Sequence, residues 1–293
     1  MRHIHFILNP IAGSANHKIN KEFLNPYFEK DLYKITVKFS LYKSHTTTLT
    51  QESIQQKADI IVACGGDGTI NEVASCIVGT SILLGVIPLG SGNGLASNLK
   101  IPKNIKKAIA IIKNQDIKKI DIGCLNNGYF FSNSGIGFDA HVIKNYEETN
   151  GRKLLSYVKA VVKSFKNIND TKEVQLKIND KTLIVNPFMI FISNSNELGF
   201  KVSLTPKASL EDGLLDVLII SRLNIFKMVL FSLLMIFKKH HLIKEVSSFQ
   251  TKNMILTRKD FHQFKMQIDG EYYLIESNTI QIGILEKALN IIA

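Results

Sequence analysis

The chain has little of what would place a protein outside the cell or across a bilayer. Its 293 residues include three cysteines, Cys64, Cys76 and Cys124. An odd number without metal-ligand spacing, set in apolar runs, excludes a disulfide scaffold and reads as reduced core thiols of a cytoplasmic protein. Met1 to Leu8 runs straight into Asn9-Pro10 with no stretch long enough for a signal peptide, so export is not expected. The longest apolar run, Met228 to Phe237, is ten residues interrupted by Ser232. A bilayer span needs about 20, which leaves a core or interfacial helix. No Gly-x-x-x-x-Gly-Lys-Ser/Thr stretch occurs, so a P-loop is excluded. Low-complexity segments and internal repeats are absent as well. Acidic residues are scarce, 25 against 36 Lys and Arg, for a formal charge of +11.

That excess calls for something anionic. Lysines crowd Lys100 to Lys119, recur at Lys153, Lys159, Lys163 and Lys166, and return in Lys238-Lys239-His240-His241. Aromatic residues are not interleaved with them as a single-strand binder requires, so the expected partner is an anionic membrane surface rather than nucleic acid. The expected location is cytoplasmic and peripheral, at the inner face of the membrane. A homodimer is left open.

Along the first 124 residues short apolar runs alternate with helical patterns. His3 to Leu8, Ile35 to Leu41, Asp59 to Cys64 and Ile82 to Ile87 read as strands of a parallel sheet. Ile105, Ala108, Ile109 and Ile112 form the stripe of a helix lying on it. Beyond Ile120 strand-like runs follow one another: Tyr129 to Ser132, Val174 to Ile178, Leu183 to Ile192, Leu214 to Ile220, Met254 to Thr257, Phe264 to Ile268, Tyr272 to Ile275 and Thr279 to Ile284. Turns such as Asn179-Asp180 and Asp269-Gly270 make these antiparallel. Helical stretches at Lys153 to Phe165 and Ile225 to Phe237 interrupt them. The expectation is an α/β domain over 1–124 and a mostly antiparallel β domain over 125–293.

What the chain does have is glycine in loops after buried strands. Gly65-Gly66-Asp67-Gly68-Thr69 follows Asp59 to Cys64 and opens a helix-like run. Glycines there let the backbone turn and approach an anion, and the helix N-terminus supplies N–H groups and a positive dipole end. Asp67 adds a carboxylate that can hold Mg²⁺ against phosphates. Gly90-Ser91-Gly92-Asn93-Gly94 repeats the pattern after Ile82 to Ile87. Asn9-Pro10-Ile11-Ala12-Gly13 ends the first strand at the same edge. Together the three loops define a nucleotide site. Gly135-Ile136-Gly137-Phe138-Asp139-Ala140 imitates a dinucleotide fingerprint, but it sits in the β-rich half with no acid about 20 residues on, and is set aside.

These motifs, in this order, resemble the diacylglycerol-kinase and sphingosine-kinase catalytic superfamily in its compact bacterial lipid-kinase form. The resemblance runs on through Asn194, Pro206-Lys207-Ala208, Asp212-Gly213-Leu214-Leu215-Asp216-Val217 and Asp269-Gly270-Glu271, and so covers essentially the whole chain. It implies a phosphofructokinase-like, NAD-kinase-like ATP-binding domain, a C-terminal β-sandwich that binds lipid, and a lipid site in the cleft between them. ATP would be held by Asn9, Pro10, Gly13, Ser40, Gly65, Gly66, Asp67, Gly68, Thr69, Asn71 and Glu72, with Ser91, Gly92 and Asn93 from the second loop. A structural Mg²⁺ would sit on Asp212 and the carbonyls of Ser209 and Leu214. Glu271 matches the proton acceptor, with Asp269 and Asp67 beside it in catalysis. An Asp-Gly pair between two strands is also a plain type I′ hairpin signal. The chain departs from many bacterial members at Gly94-Leu95-Ala96-Ser97, where they carry Asp-Phe-Ala-Arg.

The expected activity is phosphorylation of a membrane-lipid hydroxyl, diacylglycerol first and a sphingoid base next. NAD kinase, which uses a Gly-Gly-Asp-Gly-Thr loop on a related fold, is the runner-up; the Pro88 loop and the Asp212 element speak against it. A silent lipid-binding protein is the rival of another class, and intact Asp67 and Glu271 speak against that.

Overall fold

The computed structural model describes residues 1–13, 19–90, 92–149, 154–167, 172–196, 203–259 and 263–293. Two compact units emerge, Met1–Asp121 joined by Glu286–Ala293, and Ile122–Leu285. The sequence reading gives everything after 124 to the second domain and has no place for this return of the C-terminus.

The first unit begins with β1 (Arg2–Leu8), α1 (Lys21–Leu24), β2 (Tyr33–Phe39), α2 (His45–Gln55) and β3 (Ile60–Gly65). It continues with α3 (Asp67–Ile77), β4 (Leu83–Pro88), α4 (Gly94–Asn98), α5 (Ile105–Asn114) and β5 (Ile117–Leu125), whose end enters the second unit. The strands lie in the order β2-β1-β3-β4, all parallel. Every residue of β3 is buried, as a parallel sheet covered on both faces requires. α5 buries Ala108, Ile109 and Ile112 of the predicted stripe and leaves Ile105 half-buried, and Asn104 caps it by accepting the Lys107 N–H at 3.1 Å.

The second unit contains β6 (Gly128–Phe130), β7 (Asn133–Gly137), α6 (Phe138–Glu147), α7 (Leu154–Asn167), β8 (Val174–Ile178), β9 (Lys181–Val185) and β10 (Pro187–Ser193). After these come β11 (Leu215–Ser221), α8 (Ile225–Ile236), β12 (Val246–Thr251), β13 (Asn253–Thr257), β14 (Phe264–Ile268), β15 (Glu271–Ile275) and β16 (Thr279–Ile292), which ends in the first unit. One antiparallel sheet has the order β12-β11-β10-β7-β14-β15; in the other the start of β16 pairs with β13, then β8 and β9. Their facing sides share a core: Ile190, Ile192, Val217 and Met266 from one, Leu176, Met254, Leu256 and Ile282 from the other. Alternation sends Phe191, Leu218 and Ile220 to the opposite side of the first sheet, where helices cover them. β10 and β11 are thus buried on both faces and read as continuous apolar runs.

Differences from the sequence reading are local. The apolar run Leu183 to Ile192 is two strands, because Pro187 has no N–H to continue a ladder and the chain changes sheets there. β7 and α6 went unread, hidden in the glycine pattern set aside above. The final strand runs to Ile292 rather than stopping at Ile284. All three cysteines are free, Cys64 buried and the other two half-buried.

Candidate functional site

In the first unit the strand order reverses at β1, whose neighbours are β2 on one side and β3 on the other. A ligand crevice forms at such a switch point, outside the carboxyl ends of the strands. Both loops that leave it are in place. Asn9 follows β1, Gly66 to Thr69 follow β3, whose last residue is Gly65, and Asn9 Nδ2 donates to Thr69 Oγ1 at 3.3 Å. The Asn9 carboxamide oxygen accepts the Ile11 N–H at 3.1 Å, which turns the chain toward Pro10 and Gly13, the latter at φ 61°. Ser40 is buried at the end of β2, with its N–H on the Leu8 carbonyl.

α3 starts at Asp67 after an extended Gly66 and has no side-chain cap. Its first-turn N–H groups, which no helical carbonyl can reach, are the donors a phosphate would take. Asn71 and Glu72 follow one turn in, half-buried. The loop after β4 lies close: a Cβ on Gly90 would stand 2.7 Å from Gly66 Cα, so only glycine lets the two loops approach. Asp67 ties them, one carboxylate oxygen accepting the Asn93 N–H at 2.8 Å and the other the Gly94 N–H at 2.7 Å. Burial pushes its carboxyl above the usual range, while those two N–H bonds and then Lys103 pull the other way. The Asn93 side chain is spent within its own loop, accepting from Gly90 N–H at 3.1 Å and donating to Gly90 O at 2.6 Å. Ser91 lies outside the described residues.

In the second unit Asp269 and Gly270 have φ of 49° and 82°, the left-handed pair of a type I′ turn. Asp269 does more than turn. Its two oxygens accept the N–H groups of Phe131, Ser132 and Asn133 at 2.8, 2.7 and 3.1 Å, and its own N–H reaches the Asn133 carbonyl. Glu271, half-buried, opens β15 and accepts the Tyr273 hydroxyl at 3.1 Å. Burial and the Glu271 charge hold that phenol up at about 12.

A group the sequence reading set aside stands behind this turn. Asp139 Oδ2 would lie 2.0 Å from a Cβ on Gly135, so the glycine exists to make room for the carboxyl. Burial raises Asp139 to about 7. Gln267 Nε2 donates to it at 3.3 Å and to Asn133 Oδ1 at 2.8 Å, while Gln267 Oε1 accepts the Gly270 N–H at 3.1 Å. An acid inside Gly135-Ile136-Gly137-Phe138-Asp139-Ala140, otherwise apolar, was the signal.

Asp212 Oδ1 accepts the Leu214 N–H at 3.1 Å, and the Ser209 hydroxyl accepts the Glu211 N–H at 3.2 Å. Gln250 Nε2 lies 3.5 Å from Asp212 Oδ2 and 3.1 Å from Asp216 Oδ2, bridging two carboxylates. Partial burial raises the Asp216 carboxyl, the Gln250 bond lowers it and the Asp212 charge raises it. Oxygen donors with two negative charges suit a hard divalent cation, which would relieve that repulsion. Among the described residues no cluster of three or more His, Cys, Asp or Glu side chains forms.

Two family models match successive stretches of the chain, the second including the C-terminal segment that joins the first unit. The diacylglycerol kinase catalytic domain family matches residues 3–125, and the YegS C-terminal NAD kinase beta sandwich-like domain family matches 133–293. The diacylglycerol kinase of Bacillus subtilis (strain 168) is 27% identical over 278 residues, 93% of this chain and 90% of that protein. The diacylglycerol kinase of Staphylococcus haemolyticus (strain JCSC1435) is 26% identical over 271 residues, 91% of this chain and 81% of that one. A solved chain from Bacillus anthracis str. Sterne superposes with a TM-score of 0.80 at 20% identity, over 99% of this chain and 95% of its own. A diacylglycerol kinase from the same organism gives 0.71 at 20%, over 99% and 96%. These two show the fold.

Proposed function

As a member of the bacterial lipid-kinase superfamily of diacylglycerol-kinase type, the chain is a lipid kinase, and we propose that it moves the γ-phosphoryl group of ATP to the hydroxyl of diacylglycerol. The observation that carries the donor half is the pair of glycine loops clamped by Asp67 at the switch point of the parallel sheet. The acceptor is inferred from relatives named diacylglycerol kinases along nine-tenths of the chain.

In this reading the first-turn amides of α3 and the backbone of Gly90 to Gly94 hold the phosphates, with Asn9 and Thr69 fixing the loop beside them. Glu271 takes the proton of the lipid hydroxyl as its oxygen attacks the γ-phosphorus and the bond to the β-phosphate oxygen breaks. Asp269 keeps Glu271 at the start of β15 by pinning the turn to residues 131–133. Mg²⁺ would be held by Asp67, whose carboxylate has lone pairs beyond the two N–H bonds it accepts, and would neutralise charge on the transferred group. Asp212 and Asp216 would hold a second, structural ion.

Radiolabelled ATP offered with diacylglycerol, monoacylglycerol, ceramide, sphinganine and NAD tests the reading. Label in phosphatidic acid is expected; label in phosphorylated sphinganine or in NADP instead would replace the acceptor.

A further inference from the structure

The reaction leaves the outer face of α8 without a role. Met228, Phe231, Leu234 and Met235 pack against the cluster that includes Phe188, Phe191 and Leu218, which accounts for one side of the helix. The opposite side is apolar too. Phe226, Val229, Leu230, Leu233, Ile236 and Phe237 recur at helical spacing and are exposed, Phe226 at 82%, Ile236 at 72% and Phe237 at 70%. Ser232 borders this face and donates its hydroxyl to the Met228 carbonyl at 3.0 Å, so its donor needs no water. Asn224 caps the helix through the Lys227 N–H at 2.9 Å, fixing where the stripe begins.

Charge identifies what the stripe meets. From Arg222 to Lys244 the chain has five Lys and Arg residues and no Asp or Glu. Lys227 pairs with Glu245, while Arg222, Lys238, Lys239 and Lys244 are exposed. A second copy docked face to face would bring this cationic rim against itself. An anionic leaflet offers both needed surfaces, acyl chains for the stripe and negative headgroups for the lysines. Twelve residues make a helix of about 18 Å, too short to cross a bilayer and suited to lie in its surface.

We propose that α8 is a membrane-docking helix that inserts its face from Phe226 to Phe237 beneath the headgroups of an anionic leaflet, with Lys238 and Lys239 on the phosphates. This rests on the lipid-kinase reading only for its purpose, which is to bring the enzyme to a substrate that stays in the bilayer.

The chain contains no tryptophan, so Leu233→Trp makes a single fluorescent reporter in the full-length protein. Vesicles of phosphatidylglycerol, without ATP or diacylglycerol, should shift its emission to the blue, and lipids brominated on the acyl chain should quench it. Replacing Phe226, Leu230 and Ile236 together by Ser should cut vesicle partitioning at least about tenfold. Reversing Lys238 and Lys239 to Glu should do about the same and flatten the salt dependence. Partitioning of the triple variant within twofold of wild type, or a reporter that acyl bromines do not quench, overturns the proposal. So does a blue shift that grows with protein concentration before vesicles are added, the mark of a second copy on this face. Turnover of short-chain diacylglycerol dispersed without a bilayer separates the two readings. A triple variant that keeps it but loses vesicle-borne substrate supports docking, whereas a wild type that docks but phosphorylates neither form refutes the acceptor alone.

Discussion

Each unit contains a turn built on aspartate and glycine, and the two turns divide their labour differently. In the first, Asp67 is the clamp: its carboxylate joins the loops after β3 and β4 through Asn93 and Gly94, and in the proposed mechanism the same side chain would hold Mg²⁺. In the second, Asp269 takes the structural bonds, three backbone N–H groups of residues 131–133, and leaves Glu271 as a separate carboxylate two residues on. In the proposed mechanism architecture and chemistry are therefore fused at Asp67 and separable at the hairpin.

Substitution should expose that difference. Asp67→Asn replaces an acceptor by an NH₂ group facing an N–H, so the clamp and the carboxylate go together. Turnover should drop beyond about 10³-fold and the melting temperature should fall with it. A folded Asp67→Asn enzyme with wild-type melting and wild-type turnover across a Mg²⁺ titration would remove both roles at once. At the hairpin the effects should part. Glu271→Gln should lower kcat about 10²- to 10³-fold with melting unchanged and ATP affinity nearly so. Asp269→Ala orphans three N–H groups and should cost on the order of 1–3 kcal/mol of stability, with the smaller loss of kcat. Reversal of that order would make Asp269 the base.

The glycine turn of the candidate site was legible in sequence, since Gly65-Gly66-Asp67-Gly68-Thr69 must end a strand and open a helix for its glycines to make sense. The parallel sheet was legible for the same reason that it is buried: four apolar runs with room for crossovers between them. Less could be read where one residue does two things. Nothing in the spelling of Asn93 tells that its side chain closes on Gly90, or that Asp67 reaches Gly94. β12 (Val-Ser-Ser-Phe-Gln-Thr) lacked an apolar run because only Val246 and Thr251 are buried. β7 and α6 were missed because Gly135 reads as a loop residue, whereas its lack of a Cβ is what lets the Asp139 carboxyl of α6 pack against β7.

A metal in the second unit but not bonded to the hairpin would show as stability rather than chemistry. If Asp212 and Asp216 share a divalent ion, Mg²⁺ at about 100 times its Kd should add about 2.7 kcal/mol, and EDTA should remove it. Asp212→Ala should abolish the increment while leaving Glu271 in place. A melting curve that ignores both Mg²⁺ and EDTA would leave Gln250 as the only bridge between the two carboxylates.

The smallest effect compares the units through their buried titratable groups. His5 lies in β1 opposite Thr36 of β2, and the parallel register sets His3, Lys34 and Lys38 around it on the same face. Burial, then the charges of Lys38, His3 and Lys34, lowers it from 6.5 to about 4. The unfolded chain therefore binds a proton below pH 6.5 that the folded one refuses, and stability falls as pH drops from 6.5 through 4. Asp139 has the opposite sign: the folded state keeps a proton up to about pH 7 that the unfolded carboxyl releases near 3.8, so stability rises as pH falls across that window. Comparing each variant with wild type cancels the other carboxylates. His5→Phe should gain on wild type by about 1–2 kcal/mol between pH 7 and 5, because only wild type pays for the buried imidazole. Asp139→Asn should lose its advantage over the same interval. Parallel curves for wild type and His5→Phe would mean that the β1 imidazole titrates as freely folded as unfolded, and the contrast between the units would then rest on their aspartates alone.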